Sequence, residues 1–365
     1  MKSITLFINS LSSGGAEHQL SILANFLAER DFDVTVATIS DKNSHYSLDE
    51  RVKRICIGSI RNRIFKLLFI WRYFLTVKTD CIIVFCQRNS LFALPALFFR
   101  SRKKIKVICG ERNLSVGEQG YVEKGLFNCL YKRTDFIVPN SYSQSRYIER
   151  KAPWLKDKIV PITNYTSLDE FCYSNPPQNT PIRIGVFCRY EKQKNCIGFI
   201  KAVALTVRNS KIDFQIHWYG NRQFSNSGLQ NYYRHVENEI KVNRLQDVVY
   251  LHDAVRNVSE IMATFDAVCL PSFFEGFSNT ISEAICSGRP VICSDVSDNS
   301  LMVKDGVNGF LFDPNNIDSM SQAITSFISL SYEKVIEMSI NSRHIAEDLF
   351  DKKKFVDSYI SIING

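Results

Sequence analysis

The sequence predicts two α/β domains, each a mainly parallel sheet with helices on both faces. Three observations carry this. At 365 residues the chain is long enough for two cores. Short β-rich runs alternate with amphipathic stretches along its whole length. The alternation stops once, at CYSNPPQNTP (172–181), and then restarts.

In the first half, SITLFIN (3–9) reads as a strand, Gly14-Gly15 as a turn, and Ala16 to Arg30 as a helix with Leu20, Leu23, Ala24 and Leu27 on one face. VTVATIS (34–40), CIIVFC (81–86), IKVIC (105–109), DFIVP (135–139) and DKIVPI (157–162) read as further strands. The Pro-, Asn- and Ser-rich segment at 172–181 has no apolar period and reads as a linker. PIRIGVFC (181–188), FQIHWYG (214–220), VVYLHD, DAVCLPS and RPVICSD are the strands of the second half, with a helix after each. The stretch 332–363 reads as helical, and Lys-rich at 352–354. The expected division is 1–171, a linker at 172–181, 182–345, and a terminal helix over 346–365 that packs back on the first domain.

Composition excludes several classes. Apolar residues make up 45% and charged residues 22%, as in ordinary globular proteins rather than disordered ones. No apolar run is long enough for a transmembrane helix, and the N-terminal MKSITLFINSLSSGG does not read as a signal peptide. The 11 cysteines include no Cys-x-x-Cys and several lie in strand-like runs, which fits reduced thiols in a cytoplasm rather than a disulfide framework or a metal site. The net charge of +8 is uneven. Residues 1–170 carry 26 Lys and Arg against 16 Asp and Glu, residues 171–365 carry 19 against 21, and 51–106 hold 14 basic residues and one acid, Asp80. The first half is therefore expected to face an anionic partner. No nucleic-acid module or stacking platform is legible.

PSFFEGFSNTISEAICSGRPVICSD (271–295) is the most informative segment. A strand ends, a loop follows, and a helix opens near Asn279 or Thr280 behind the capping types Ser278 and Asn279, to end at Gly288. With Glu275 in the loop and Glu283 in the first helical turn, both carboxylates reach one ligand. A carboxylate that accepts two ribose hydroxyls is a known nucleotide device. The amides of Phe277, Ser278 and Asn279 suit an anion at a helix N-terminus. Read alone, the two acids equally fit a helix stabiliser and a solvated loop acid. Arg189 and Lys194 in RYEKQKN follow another strand end and fit either a pyrophosphate clamp or a solvated basic turn. The predicted topology puts both groups at one edge of one sheet.

Together these segments resemble the retaining nucleotide-sugar glycosyltransferases of family GT4. SLSSGGAEHQLSILANFLAERDFDVTVAT is similar to the opening glycine loop and first helix, RYEKQKN to the Arg–Lys phosphate clamp, the 271–295 segment to the Glu-x7-Glu signature, and VKDGVNGFLFDPNN to the hairpin-like segment downstream. The resemblance implies the GT-B fold, two Rossmann-like α/β/α domains facing each other across a cleft. It implies Arg189 and Lys194 on the donor pyrophosphate, Glu283 on the ribose, and Glu275 at the transferred sugar, with Gly14, Gly15, Gly276, Phe277, Ser278, Asn279 and Thr280 completing the donor site. Many relatives carry an acceptor-side His where this chain has CGERNLS. Glu111, Arg112 and Asn113 take that place, Arg112 as an acceptor-phosphate ligand or as a structural ion pair.

The implied reaction is transfer of a hexosyl or N-acetylhexosaminyl group from a nucleotide sugar, UDP-linked by family frequency, to a saccharide on a polyprenyl diphosphate in surface-polysaccharide synthesis. Arg189, Lys194 and helix amides would stabilise the leaving diphosphate, so no metal and no cofactor is expected. The only Asp-x-Asp, Asp31 to Asp33, precedes a strand far from the site. Retention implies attack on the leaving-group face, with a phosphate oxygen taking the proton. The other route is a covalent intermediate on Glu275. The basic, apolar segments at 61–78 and 91–106 suit either peripheral contact with an anionic membrane, on the inner face of the plasma membrane, or ordinary helices with an apolar core face and a solvated basic face. Competing readings are a sugar-nucleotide epimerase of the same fold and a non-catalytic sugar-nucleotide-binding subunit.

Overall fold

A computed structural model describes residues 1–12, 14–40, 46–58, 63–100, 105–112, 129–222, 224 and 227–365. The chain forms two compact units, Met1–Tyr165 with Lys352–Gly365, and Thr166–Asp351.

The first unit holds a six-stranded parallel sheet in the order β3-β2-β1-β4-β5-β6. Its strands are β1 Ser3–Ile8, β2 Asp33–Thr38, β3 Lys53–Cys56, β4 Cys81–Phe85, β5 Lys106–Glu111 and β6 Phe136–Pro139. Central β4 is buried throughout and β1 nearly so, as strands covered on both faces must be. Leu6 stands beside Val36 on one side and Ile83 on the other. Helices α1 Gly15–Glu29, α2 Arg63–Thr76, α3 Gln87–Phe98 and α4 Tyr142–Lys151 accompany this sheet. Leu20, Leu23, Ala24 and Leu27 of α1 are fully buried, as their spacing predicts.

The second unit repeats the plan in the order β12-β11-β10-β7-β8-β9, again all parallel. Its strands are β7 Ile182–Phe187, β8 Phe214–Tyr219, β9 Val249–His252, β10 Ala267–Leu270, β11 Val291–Ser294 and β12 Gly309–Phe312. Its helices are α5 Cys196–Asn209, α6 Ser227–Val242, α7 Val258–Met262, α8 Asn279–Cys286, α9 Asn299–Met302, α10 Ile317–Ile328 and α11 Tyr332–Leu349. Helix α12, Lys352–Asn364, belongs to the first unit.

Three expectations change, and one strand is added. Residues 157–162 are not a strand: a 3₁₀ helix covers Pro153–Lys158, and only Ile159 bridges to Ile137 of β6. Pro161 has no N–H with which to extend a ladder. The edge strand β3 has no apolar run to betray it, since Lys53, Arg54 and Ile55 are all exposed. The segment resembling a hairpin supplies β12, which runs parallel to β11 with Gly309 beside Val291. A Cβ on Gly309 would lie 1.8 Å from the Val291 carbonyl oxygen, so only glycine fits that approach. The stretch 332–363 is two helices broken at Phe350 and Asp351, where the chain passes from the second unit to the first.

The unit boundary falls at 165/166, ahead of the expected linker at 172–181. That segment has no helix or strand, yet it is hydrogen-bonded to the second unit. The buried Arg289 guanidinium donates to the Ser174 carbonyl, to Ser174 Oγ at 2.7 Å and to the Phe265 carbonyl at 3.1 Å. The Asp266 carboxylate accepts from Asn179 Nδ2 at 3.0 Å and from the Arg183 amide at 2.7 Å. A polar, Pro-rich segment satisfies its backbone this way instead of hanging free.

Candidate functional site

In the second unit the strand order reverses between β7 and β10: β8 and β9 follow on one side, β11 and β12 on the other. Ligands of open parallel sheets bind at such a switch point, outside the carboxyl ends of the strands. The two loops that leave this point carry the residues singled out in the sequence.

The loop after β7 holds Arg189, a 3₁₀ turn Lys192–Lys194, and Asn195 in the left-handed region at φ 51°. The loop after β10 runs from Pro271 to Ser278. They are stitched together by the Phe273 amide donating to the Gln193 carbonyl, and by Gln193 Nε2 donating to the Phe274 carbonyl, each at 2.9 Å. Lys194 Nζ reaches Glu275 Oε1 at 2.5 Å, with the two side chains 12% and 10% exposed. Such a sheltered, charge-assisted contact is among the stronger ones available to a protein. Ser297, beyond β11, fixes the acid's backbone: its Oγ accepts from the Glu275 amide at 3.2 Å and donates to the Glu275 carbonyl at 2.6 Å. Three strand ends therefore converge on Glu275.

Arg189 points elsewhere at close range. Its Nη1 pairs with Glu191 Oε1 at 3.0 Å and its side chain is 65% exposed. The charges of Lys194, Glu275 and Arg189 nonetheless all act on the thiol of Cys188, whose pKa is raised chiefly by burial. The structure thus joins Lys194 to Glu275 directly and keeps Arg189 nearby on a surface pair.

Helix α8 opens where its sequence says. Ser278 is the N-cap, its Oγ accepting from the Ile281 amide at 3.3 Å. Thr280 Oγ1 donates to the Phe187 carbonyl at 2.8 Å, tying the first turn to the end of β7. Phe277 is buried, edge-on to Phe350 with ring centroids 6.2 Å apart. Gly276 lies between Glu275 and Phe277 in the same loop. Glu283 differs from expectation. The helix begins at Asn279, so Glu283 is its fifth residue and lies in the second turn, beyond the end effect of the helix dipole. It is half-buried, and its carboxyl is pushed up to about 8, first by burial and then by the charge of Glu170. It makes no ion pair with Lys194 or Arg189.

In the first unit the corresponding switch point lies between β1 and β4. Gly14 and Gly15 stand at that edge, as N-cap and first residue of α1. Gly14 has φ −157°, extended backbone open to any residue, and a Cβ there would meet the Glu17 carboxylate. Glu111 and Arg112 are buried and engaged by protein. The Tyr131 hydroxyl donates to Glu111 Oε1, and burial pushes that carboxyl up to about 7. Arg112 lies over the Phe85 ring at 4.5 Å and donates to Asn164 Oδ1 at 3.0 Å and the Tyr359 hydroxyl at 2.6 Å. Asn113 lies outside the described residues. Asp33 of the Asp-x-Asp pairs with Lys53 at 2.8 Å, at the start of β2 and so at the opposite edge of the sheet from the glycine turn.

Sequence reasoning missed two positioning residues. Gln193 sits inside RYEKQKN and carries no charge to draw notice. Ser297 has no local signal, because its partner is Glu275, 22 positions earlier.

Residues 181–329 match the family described as glycosyl transferases group 1. Over the full length of both chains, the protein is 24% identical to a Campylobacter jejuni N-acetylgalactosamine-N,N'-diacetylbacillosaminyl-diphospho-undecaprenol 4-alpha-N-acetylgalactosaminyltransferase. It is 30% identical over 167 residues to an Escherichia coli UDP-Gal:alpha-D-GlcNAc-diphosphoundecaprenol alpha-1,3-galactosyltransferase, covering 45% of this chain and 41% of that one. Among solved structures, HepE of Anabaena in complex with UDP and glucose superposes with a TM-score of 0.83 at 18% identity over the whole of both chains. A glycosyltransferase from Rickettsia africae superposes at 0.84 and 17% identity, over all of this chain and 98% of that one. These likenesses show the fold. The chain is a glycosyltransferase of the GT-B fold, and residues 181–329 of its second unit are similar to the group 1 glycosyl transferases.

Proposed function

We propose that the protein is a retaining, metal-independent glycosyltransferase. It moves a hexosyl or N-acetylhexosaminyl group from a UDP-sugar to a polyprenyl-diphosphate-linked saccharide during surface-polysaccharide synthesis. The observation that carries the reading is the sheltered Lys194–Glu275 pair at the β7–β10 switch point, with Arg189 on the same loop and the first turn of α8 bonded to the end of β7. The activities named for the Campylobacter and Escherichia relatives, which act on undecaprenyl-diphosphate-linked sugars, support the acceptor class.

In this reading the donor diphosphate enters the crevice and takes Lys194 as counter-ion, with Arg189 turning from Glu191 to share it. Negative charge grows on the β-phosphate as the sugar carbon becomes oxocarbenium-like, and these cations stabilise it where it develops. Glu275, held by Ser297, faces the transferred sugar. Glu283 takes the ribose hydroxyls, and its preference for the neutral form is reversed by the two donors it gains. The acceptor hydroxyl attacks on the leaving-group face and passes its proton to a phosphate oxygen.

The test is transfer from UDP-sugars to a short-chain polyprenyl-diphosphate saccharide. Lys194→Ala and Arg189→Ala are each expected to lose about 10²–10³ in kcat, the scale of removing one group that stabilises developing charge, with the melting transition retained. Wild-type turnover in either variant overturns the clamp. Excess EDTA is expected to leave turnover intact, and its abolition with rescue by Mg or Mn overturns the metal-free reaction.

A further inference from the structure

Both cations proposed for the donor diphosphate already have a counter-ion. Lys194 holds Glu275, and Arg189 holds Glu191 through Nη1 to Oε1 at 3.0 Å, so the four groups carry no net charge. The two acids differ in what they face. Glu275 lies in the loop after β10 and is assigned to the transferred sugar. Glu191 lies on the same loop as Arg189, two positions on, and the reaction proposed above gives it no part.

The members of the Arg189–Glu191 pair are not equally free. Glu191 is the anchored one. It opens the Lys192–Lys194 turn, and its carbonyl accepts from the Lys194 amide at 2.9 Å and from the Cys196 thiol at 3.6 Å. Its own amide donates to the Arg189 carbonyl at 3.0 Å. Between them Tyr190 is 1% exposed, its hydroxyl shared by the carbonyls of Trp218 and His252 at 2.7 and 2.8 Å, which fastens the loop to β8 and β9. Arg189 is the loose one, its side chain 65% exposed against 23% for Glu191. So open a pair is weak, and the guanidinium exchanges readily for a better anion. When a diphosphate draws Arg189 away, the Glu191 carboxylate stays beside the new anion.

That position matters more after transfer than before it. In a nucleotide sugar, the sugar masks an oxygen of the β-phosphate. When the bond from the sugar carbon to that oxygen breaks, the oxygen keeps the electron pair. The proton that the phosphate takes from the acceptor is mostly lost to water at neutral pH, since a terminal phosphate has its second pKa at about 6. The nucleoside diphosphate thus leaves with more negative charge than the donor brought. Two cations without competitors would hold the product more tightly than the substrate, and release would limit turnover. A carboxylate anchored beside one of them opposes this. It repels the added charge and gives Arg189 a partner to return to.

We infer that Glu191 is a positioning residue for product release: it acts through Arg189, competing with the nucleoside diphosphate for the guanidinium and so holding product affinity down relative to donor affinity. The inference rests on the donor site proposed above and gives a further residue of that site its role.

Calorimetric titration tests it, with UDP and with a UDP-sugar that the transfer assay accepts, on wild type, Glu191→Gln, Arg189→Ala and the double variant. Glutamine keeps the size of the side chain and removes its charge. Glu191→Gln is expected to bind UDP about fivefold more tightly, the upper end of what an open ion pair is worth. The gain for the UDP-sugar should be smaller, and inhibition of transfer by added UDP should strengthen by the same factor as UDP binding. The gain should shrink when Arg189 is already alanine, because the two residues then have no shared interaction to lose. A purely structural role would instead lower the melting temperature and weaken both ligands alike. Unchanged or weaker UDP binding by Glu191→Gln, an equal gain for UDP and UDP-sugar, or an equal gain with and without Arg189 overturns the inference. If Arg189→Ala weakens UDP binding while Glu191→Gln fails to tighten it, the proposed donor site stands and the release role falls. If Arg189→Ala binds UDP as wild type does, the clamp itself falls, and the release role with it.

Discussion

Glu283 is where residue chemistry is most exposed to test. Its carboxyl has a folded pKa of about 8 because burial opposes ionisation, with Glu170 adding to the effect. In the unfolded chain it titrates near ~4.3. The native state therefore holds the proton more tightly, and the stability this confers is complete below the unfolded value and is lost as pH rises through about 8. Glu283→Gln stays neutral at all pH. It is expected to melt above wild type at pH 9, by up to a few kcal/mol, at about 1.4 kcal/mol for each tenfold difference in proton affinity between the folded and unfolded chain. The two melting curves should converge toward pH 4. A wild-type melting profile that stays flat between pH 5 and 9 contradicts the burial. Under the proposed function the same substitution weakens UDP binding, because an amide cannot accept from two hydroxyls as a carboxylate does.

At the scale of the element, α8 is only eight residues long, so its ends matter more than its middle. Ser278 caps the start and Gly288, at φ 72°, turns the chain at the end. Ser278→Ala should cost about 1 kcal/mol, the worth of an N-cap. Gly288→Ala should cost more, since the left-handed backbone is itself unfavourable with a side chain and the new Cβ would lie 2.5 Å from the Tyr173 ring. Urea unfolding checks both, and an unchanged midpoint for Gly288→Ala removes the argument. Because Thr280 ties the same turn to Phe187, loosening the cap should also raise the KM for the donor while affecting kcat less.

At the scale of the whole molecule, the first unit is completed only by the end of the chain. Phe355 packs against Phe26 and Tyr165, Lys352 pairs with Glu29 at 2.7 Å, and Tyr359 accepts from buried Arg112. Phe355, Val356, Tyr359, Ile362 and Ile363 are buried there. Truncation after Asp351 is expected to destabilise the first unit by several kcal/mol, at about 1.5–3 for each large apolar side chain uncovered, and to leave Arg112 without the Tyr359 hydroxyl. Calorimetry of the truncated chain should show a transition shifted down by about ten degrees, on the order expected for such a loss in a domain this size. A superimposable thermogram would show α12 to be an appendage.

The sequence by itself determined the two parallel sheets, most of their strands, the start and stop of α8 and the four charged residues proposed for the donor. These are local matters: period, capping chemistry, a left-handed glycine, and charges placed just past apolar runs. Tertiary structure alone decided the rest. It showed Lys194 on Glu275 while Arg189 pairs with Glu191, and it gave Gln193 and Ser297 their positioning roles. It set Glu283 in the second turn and buried Arg112 against Tyr359, 247 positions away. It also drew residues 172–181 onto the second unit. The reason is common to all: partner choice and burial depend on chain segments distant in sequence, and no local period records which face of a helix the rest of the molecule will cover.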